Sequence, residues 1–322
     1  MSIKVIHLHI SKHAWPRGED GLTLVELMIA MAISLLLLAG LTGLIINSNR
    51  NFQELATVSQ QIENGRYALQ VLKDDIRHAG YYGQLFITPV RPGSMPDPCS
   101  IDLNEHRVGM GFPVQGYDSL MASPVDCVDD DDYMPETDVI VVRRASTNDT
   151  QILPNFFHIQ SSTRDFLLSD DVTELTLPDN PPIRPYFSRI YHIRPWSVSA
   201  GDGVPTLVRR ELVVNGAVAA TVAAPLVEGI ENVQYLYGID DTAGGGNGRP
   251  DRYIPSPADE EWHRVVSIRI FVLARNITPS ENYTDTKVYD LGGETVGPVG
   301  DAFKRRVYST TVRLANPAGR RE

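Results

Sequence analysis

One carboxylate in this chain sits where carboxylates are costly. Glu26 closes the sequence Gly21-Leu22-Thr23-Leu24-Val25-Glu26, and the twenty residues that follow, Leu27 to Ile46, carry no charge. A carboxylate at the edge of such a segment needs a partner or a neutral form. Other acidic residues cluster differently. Asp129, Asp130, Asp131 and Asp132 are consecutive, and Asp240, Asp241 and Asp251 bracket a glycine-rich loop. Oxygen-rich clusters of this kind can hold Ca²⁺, the one ion the sequence suggests. Adjacent acidic residues on loops are more often simply solvated, and the 240–251 loop lacks the Asp-x-Asp-x-Asp-Gly order of a calcium loop. Gly244-Gly245-Gly246-Asn247-Gly248 has no Lys-Ser/Thr behind it, which argues against a phosphate loop.

Hydrolytic and redox chemistry have no such anchor. Gly-x-Ser-x-Gly, His-Glu-x-x-His and Cys-x-x-Cys are all absent from the sequence. His7, His9 and His13 lie close together near the N-terminus, and the other five histidines are scattered. A non-enzymatic protein without a cofactor is expected. The net charge is −11, which argues against a broad nucleic-acid surface. Arg143-Arg144 and Arg209-Arg210 fall on strand-like segments, where neighbours point to opposite faces and are expected to meet solvent.

These residues need elements to position them. Twenty apolar residues at about 1.5 Å per residue span the roughly 30 Å hydrocarbon core of a bilayer. Gly40, Gly43, Ser34 and Thr42 interrupt the run, and small residues suit close helix approach in lipid. Lys4, Lys12 and Arg17 precede it, which places the N-terminus in the cytoplasm and the bulk of the chain across the membrane. In a translocated chain the two cysteines, Cys99 and Cys127, favour a disulfide over two free thiols. Helical spacing continues beyond the run through Leu55, Val58, Ile62, Gly65, Leu69, Leu72 and Ile76, a stripe better suited to packing on the chain's own sheet than to a coiled coil. Gly80 fits a C-cap, and His78 a solvated position near the helix end. Strand signals follow at 138–144, 207–214 with 217–222 across Asn215-Gly216, 232–239, 265–275 and 307–314. The fold class is α+β: a long N-terminal helix, hydrophobic then amphipathic, on a mostly antiparallel sheet.

Gly21-Leu22-Thr23-Leu24-Val25-Glu26 ahead of an apolar run resembles the class III signal of type IV pilins and type II secretion pseudopilins, although Leu22 stands where the family more often has Phe. The resemblance implies cleavage between Gly21 and Leu22 by a prepilin peptidase, N-methylation of Leu22, and a Glu26 that pairs with a subunit amine during assembly. Residues i and i+4 share a helix face, so the Leu22 amine and Glu26 would be neighbours. Asp75-Ile76-Arg77-His78-Ala79-Gly80-Tyr81, then Val227-Glu228-Gly229-Ile230 and Arg306 to Asn316, resemble the PilW minor-pilin family, with Ala315 where that family often has arginine. The implied organisation is a leader over 1–21, a transmembrane and assembly helix over 22–46, an amphipathic helix over 47–80, and a periplasmic β-rich domain over 81–322 with a loop-rich insertion about 87–135.

The resemblance implies a minor pilin that primes type IV pilus assembly and sits at the fibre tip. It would reside in the inner membrane, single-pass, with its globular domain in the periplasm, and could enter the extracellular fibre. Its partners would be other minor pilins, the major pilin, the prepilin peptidase, the inner-membrane assembly platform and the lipid bilayer. The alternatives are a type II secretion minor pseudopilin resembling the J component, and a tip adhesin that binds a ligand or an ion.

Overall fold

The computed structural model describes residues 21–87, 94–148, 152–215 and 218–322. Lys4, Lys12, Arg17, His7, His9 and His13, Pro89 and Pro92, and Gly216 of the Asn-Gly pair lie outside the described residues. The chain divides into two compact units, Met1–Gln53 and Glu54–Glu322. Helix α1, Leu24–Arg77, contributes to both. In the first unit it exposes every side chain from Leu24 onward. Ser34 and Thr42 donate their hydroxyls to Ala30 O and Leu38 O, each at 2.7 Å, so the polar side chains of the apolar run are satisfied within the helix.

In the second unit the C-terminal part of α1 buries Gln61, Gly65, Ala68, Leu72, Asp75 and Ile76. Ala68, Leu72 and Ile76 join one core with residues from two sheets, as packing on the chain's own sheet requires. The buried face is rotated slightly from the expected stripe: Ile62 and Leu69 are half-buried, and Gln61, Ala68 and Asp75 lie inside. Leu55 is 66% exposed, because burial begins only at Gln61. Gln61 lies inside because its amide satisfies two strand-end carbonyls, Ala274 O at 2.9 Å and Lys304 O at 2.7 Å.

The larger sheet has seven strands: β1 Val114–Leu120, β2 Thr137–Ala145, β3 His158–Ser161, β4 Phe166–Ser169, β5 Ile183–Arg194, β6 Thr206–Asn215 and β7 Val218–Glu228. β5 is its centre, pairing with β2 on one side and with β3 and β6 in turn on the other. The smaller sheet holds β8 Ile230–Ile239, β9 Arg252–Ile254, β10 Val265–Arg275 and, after the β11 Tyr289–Asp290 and β12 Thr295–Val296 ribbon, β13 Arg305–Arg313, in the order β13-β10-β8-β9. Every pairing is antiparallel. Two short helices complete the fold, α2 Leu103–Gly109 and α3 Ala315–Gly319. The stretch expected to be loop-rich thus supplies α2 and β1.

Gly229 passes the chain from one sheet to the other. Its φ is +73°, and a Cβ there would lie 2.7 Å from Arg275 O, so only glycine fits. Asp138 on β2 ties the sheets again, accepting from Tyr235 N on β8 at 2.8 Å and from Ser119 N at 3.0 Å. Burial pushes its carboxyl up to about 7 against these donors. The expected disulfide forms between Cys99 and Cys127, with Cα atoms 5.5 Å apart. It closes a 28-residue separation, which stabilises by about 3–4 kcal/mol in the chain-entropy model.

Gly65 offers a test in which two effects oppose each other. Helix propensity favours Gly65→Ala by about 1 kcal/mol. The new Cβ would fall 2.4 Å from the Tyr308 ring, and overpacking costs about 1–3 kcal/mol. Chemical unfolding of the full chain in detergent is expected to show Gly65→Ala destabilised by about 1 kcal/mol. A stabilised variant would mean that Tyr308 yields freely.

Candidate assembly site and the network at the helix end

Gly21 and Leu22 are exposed ahead of α1, and no heavy atom beyond the chain neighbours lies within 4 Å of a Cβ built on Gly21. Glu26 is engaged with Thr23. Its Oε2 accepts from Thr23 N at 3.0 Å and from Thr23 Oγ1 at 2.9 Å, while Glu26 N donates to Thr23 Oγ1 at 3.3 Å. This is a reciprocal capping box, and Thr23-x-x-Glu26 is its sequence signature. The reading of Glu26 as a residue awaiting a partner missed it. The carboxylate therefore has donors of its own within one chain, and near the positive end of the helix dipole. Gly40 and Gly43 likewise meet no heavy atom within 4 Å of an added Cβ, which leaves room for a neighbouring helix.

The other end of α1 holds a carboxylate of a different kind. Asp75 is 4% exposed. Its Oδ1 accepts from Arg144 Nε at 2.6 Å and Arg189 Nη1 at 2.7 Å, and its Oδ2 accepts from Tyr191 Oη at 2.8 Å. Arg189 also reaches Glu211 at 2.5 Å. Burial opposes ionisation of Asp75, but Arg189 and Arg144 outweigh it and hold the carboxyl below the usual aspartate range. Arg144 is therefore no solvent-facing strand residue. Arg143 is 1% exposed and donates to Phe112 O at 3.2 Å and Gln115 Oε1 at 2.8 Å. Arg210 pairs with Asp132. The expectation of solvated arginines fails for Arg143, Arg144 and Arg210, whose guanidinium groups meet oxygen on covered faces; Arg209 is half-buried, 3.7 Å from Glu211.

After Arg77 the chain tightens, with His78 N and Ala79 N donating to Asp75 O and Ile76 O, both at 3.1 Å. Gly80 adopts φ +72°, as a C-cap glycine should. The carbonyls of Ala79 and Gly80 are met by the far end of the chain. Asn316 Nδ2 donates to Ala79 O at 3.2 Å, and Arg320 to Gly80 O at 3.3 Å. His78 Nδ1 lies 2.6 Å from Asp74 O, an exposed position without a catalytic neighbourhood.

The suggested calcium ligands are dispersed. Asp129 and Asp131 are exposed. Asp130 accepts from Ser123 N at 2.8 Å, and Asp132 is taken by Arg210. Asp240 accepts from Asn247 N at 2.8 Å, Gly248 N at 2.9 Å, Thr242 N at 3.1 Å and Arg321 Nε at 3.0 Å. Burial raises its pKa, but Arg321 and these N–H groups prevail and hold it well below the usual range. Asp241 pairs with Arg252 and Arg264 at 2.6 and 2.5 Å. Asp251 accepts from Asp241 N at 2.7 Å. Arginine and backbone N–H occupy the oxygens an ion would need. Among the described residues, no group of three or more His, Cys, Asp or Glu side chains is placed to hold a metal.

Two family models match the chain. The prokaryotic N-terminal methylation motif covers residues 16–42, and type IV pilus-assembly protein W covers residues 190–316. Both matches support a PilW-family type IV pilin. The first match contains Gly21, Leu22, Glu26 and most of the apolar helix; the second runs from within β5 to α3. No curated protein and no solved structure matches the chain.

Asp75 lies outside both matched segments, and its role rests on geometry alone. Asp75→Asn leaves half-buried Arg144 without its anion and Arg189 with Glu211 alone, at a cost of about 3 kcal/mol. Because the folded carboxyl titrates below its ordinary value near 4, its contribution is complete above that pH and is lost as pH falls through the lowered folded value. Unfolding of wild type and Asp75→Asn from pH 7 to pH 3 is expected to show a gap that narrows on the acid side. A gap constant with pH would show that charge pairing at Asp75 contributes nothing.

Proposed function

We propose that this pilin is a minor subunit of the type IV pilus, a structural protein that helps start fibre growth alongside other minor pilins and sits at the fibre tip. The observation that carries the reading is the first unit of α1. Its apolar side chains from Leu27 to Ile46 are all exposed within the chain, and among the described residues α1 is the one helix long and apolar enough to cross a membrane. So large an uncovered apolar surface needs lipid before assembly and neighbouring helices after it. The methylation motif at its head supplies the processing step that such a transfer requires.

In this reading the prepilin peptidase cuts between Gly21 and Leu22 on the cytoplasmic side, Leu22 is methylated, and the β-rich unit stands in the periplasm. Residues 1–21 hold three basic and two acidic side chains, so the mature chain carries a net charge of −12. Glu26 then has two sets of donors available, Thr23 of its own helix and the terminal amine of a neighbouring subunit. Exchange of one for the other keeps the carboxylate paired as the helix leaves the bilayer. The major pilin, the inner-membrane assembly platform and the peptidase are the remaining partners. The match to the pilus-assembly family favours the pilus over a type II secretion pseudopilus.

Mass spectrometry of the N-terminus, from cells with and without the prepilin peptidase, tests the reading. A mature chain beginning at methylated Leu22 is expected only where the peptidase is present. Glu26→Ala is expected to leave cleavage intact and to reduce pili per cell several-fold. An intact Met1–Gly21 leader in wild-type cells would overturn the assignment.

A further inference from the structure

β7 is an edge strand with an unusual composition. Among the described strands it pairs with β6 alone, and from Val218 to Val227 it contains no charged residue. Exposed edges are ordinarily guarded by lysine, inward charges or short length. This one is eleven residues long, and its one guard is Pro225.

The register identifies which backbone groups are open. Asn215 pairs with Val218 across a two-residue connection, so Asn215 is a strand residue and the pair closes the hairpin through hydrogen bonds. Counting by two, residues 220, 222 and 224 bond to β6, and residues 219, 221, 223 and 225 turn their N–H and C=O outward. Two observations agree. Pro225, which has no N–H, falls in the outward set opposite Val208. Val214, opposite Ala219, sends its N–H away from β7 to Asn155 O at 2.7 Å.

Beside the C-terminal half of β7 lies an open groove of about 640 Å³, lined by Trp196, Val198, Pro225, Leu226 and Val227 among others. Its two charged residues are already engaged. Arg194 stacks on the Trp196 ring at 3.4 Å, and Glu228 accepts from Ser197 Oγ at 2.6 Å. Val198 is 86% exposed at the rim, and Val222 on the strand is 56% exposed.

We propose that the β7 edge receives an extended, uncharged segment of a different subunit, which adds a strand to the seven-stranded sheet and places bulky apolar side chains in the adjoining groove. Strand addition takes affinity from main-chain hydrogen bonds and specificity from pockets for alternate side chains, and both features meet here. The neutrality of edge and groove selects a neutral strand. A second copy of this chain fits less well. Its own β7 would bring a second Pro225 into the ladder and ends in the charged Glu228, and apart from Leu226 it otherwise offers only alanine, threonine, valine and proline to a groove of about 640 Å³. The identity of the donor as a fellow assembly subunit rests on the proposed function; the open edge does not.

The test uses the full chain in its own cells. A photo-crosslinking p-benzoylphenylalanine is placed singly at Val222, at Val198, and at Val288 as an exposed control. Adducts are identified by mass spectrometry, and N-terminal processing is read from the same sample. Val222 and Val198 are expected to link to one partner, a different chain with a processed prepilin N-terminus, through one short segment free of charged residues. Ala223→Pro removes an outward N–H and leaves the β6 ladder whole; Ala223→Lys adds an edge charge. Each is expected to lower the adduct yield at least tenfold, with the disulfide formed and Tm within a few degrees of wild type. Adducts to a second copy, adducts to a chain that is not a processed pilin, yields no higher than at Val288, or yields unchanged in both Ala223 variants would each overturn the proposal. Failure of Leu22 processing would overturn the assembly reading separately, whatever the adducts show.

Discussion

Asp75 is the point on which the second unit depends. It lies two residues before the end of α1, and its side chain reaches into the larger sheet instead of toward water. Arg144 on β2 and Arg189 on β5 meet it there, and Tyr191 closes the remaining oxygen. A helix lying on a sheet through apolar contacts alone can slide or rotate by small amounts, because such contacts have no direction. A carboxylate whose Oδ1 is shared by guanidinium groups on two strands and whose Oδ2 is held by Tyr191 fixes both register and rotation. Ala68, Leu72 and Ile76 can then pack against both sheets in one arrangement. The carbonyls left open where the helix ends are satisfied by Asn316 and Arg320, so the last residues of the chain close a surface that the helix opens.

The same device recurs wherever acid residues gather. Arg305, with a side chain buried completely, joins Glu231, Asp285 and Asp301 and so holds the 276–304 segment onto β13. Arg321 occupies Asp240, and Arg252 and Arg264 share Asp241 and Glu261. In each case a guanidinium stands where a bound cation would otherwise neutralise the carboxylates. Arginine suits this use because its fork satisfies several oxygens at once and keeps its charge when buried. Of the buried aspartates, Asp75, Asp240 and Asp285 are paired by covalently attached cations, and Asp138 by N–H and hydroxyl donors.

Much of this was legible in the sequence, and the exceptions have physical causes. The apolar run and Glu26 announced the long N-terminal helix, and strands β2, β6, β7, β8, β10 and β13 carried apolar runs, alternation or turn signals. β5 did not. It is central, both of its faces are covered, and Arg189, His192 and Arg194 lie inside it, so alternation vanishes. β1, β3 and β4 are short, or turn-rich at their ends, and blended into proline-rich surroundings. Arg143, Arg144 and Gln61 were misplaced because spacing reports which face a residue takes, whereas its burial depends on which oxygens wait on that face. Asn215 sits one position outside the turn assigned to it, because the register, and not the Asn-Gly pair alone, decides where the strands close. The Thr23–Glu26 capping box needed no structure to find; the apolar run drew attention from it.

These pairings leave an uneven distribution of charge. Inside the second unit most buried acids have a base, while two uninterrupted neutral stretches stay open among the described residues: 27–46 is exposed along its whole length, and 218–227 pairs with β6 along one edge only. Each exposes a different currency: the helix exposes hydrocarbon with its backbone satisfied, and the edge strand exposes backbone with few side chains to protect it. Hydrocarbon is indifferent to the identity of what covers it, so the helix can pass from lipid to neighbouring helices without a change of chemistry. Open N–H and C=O groups demand an aligned partner backbone, which a bilayer cannot supply. The helix therefore suits the general contacts repeated throughout a fibre, and the edge suits a contact made with one subunit in one register. A subunit that uses both would be directional by construction, since the first contact can be repeated and the second can be filled once.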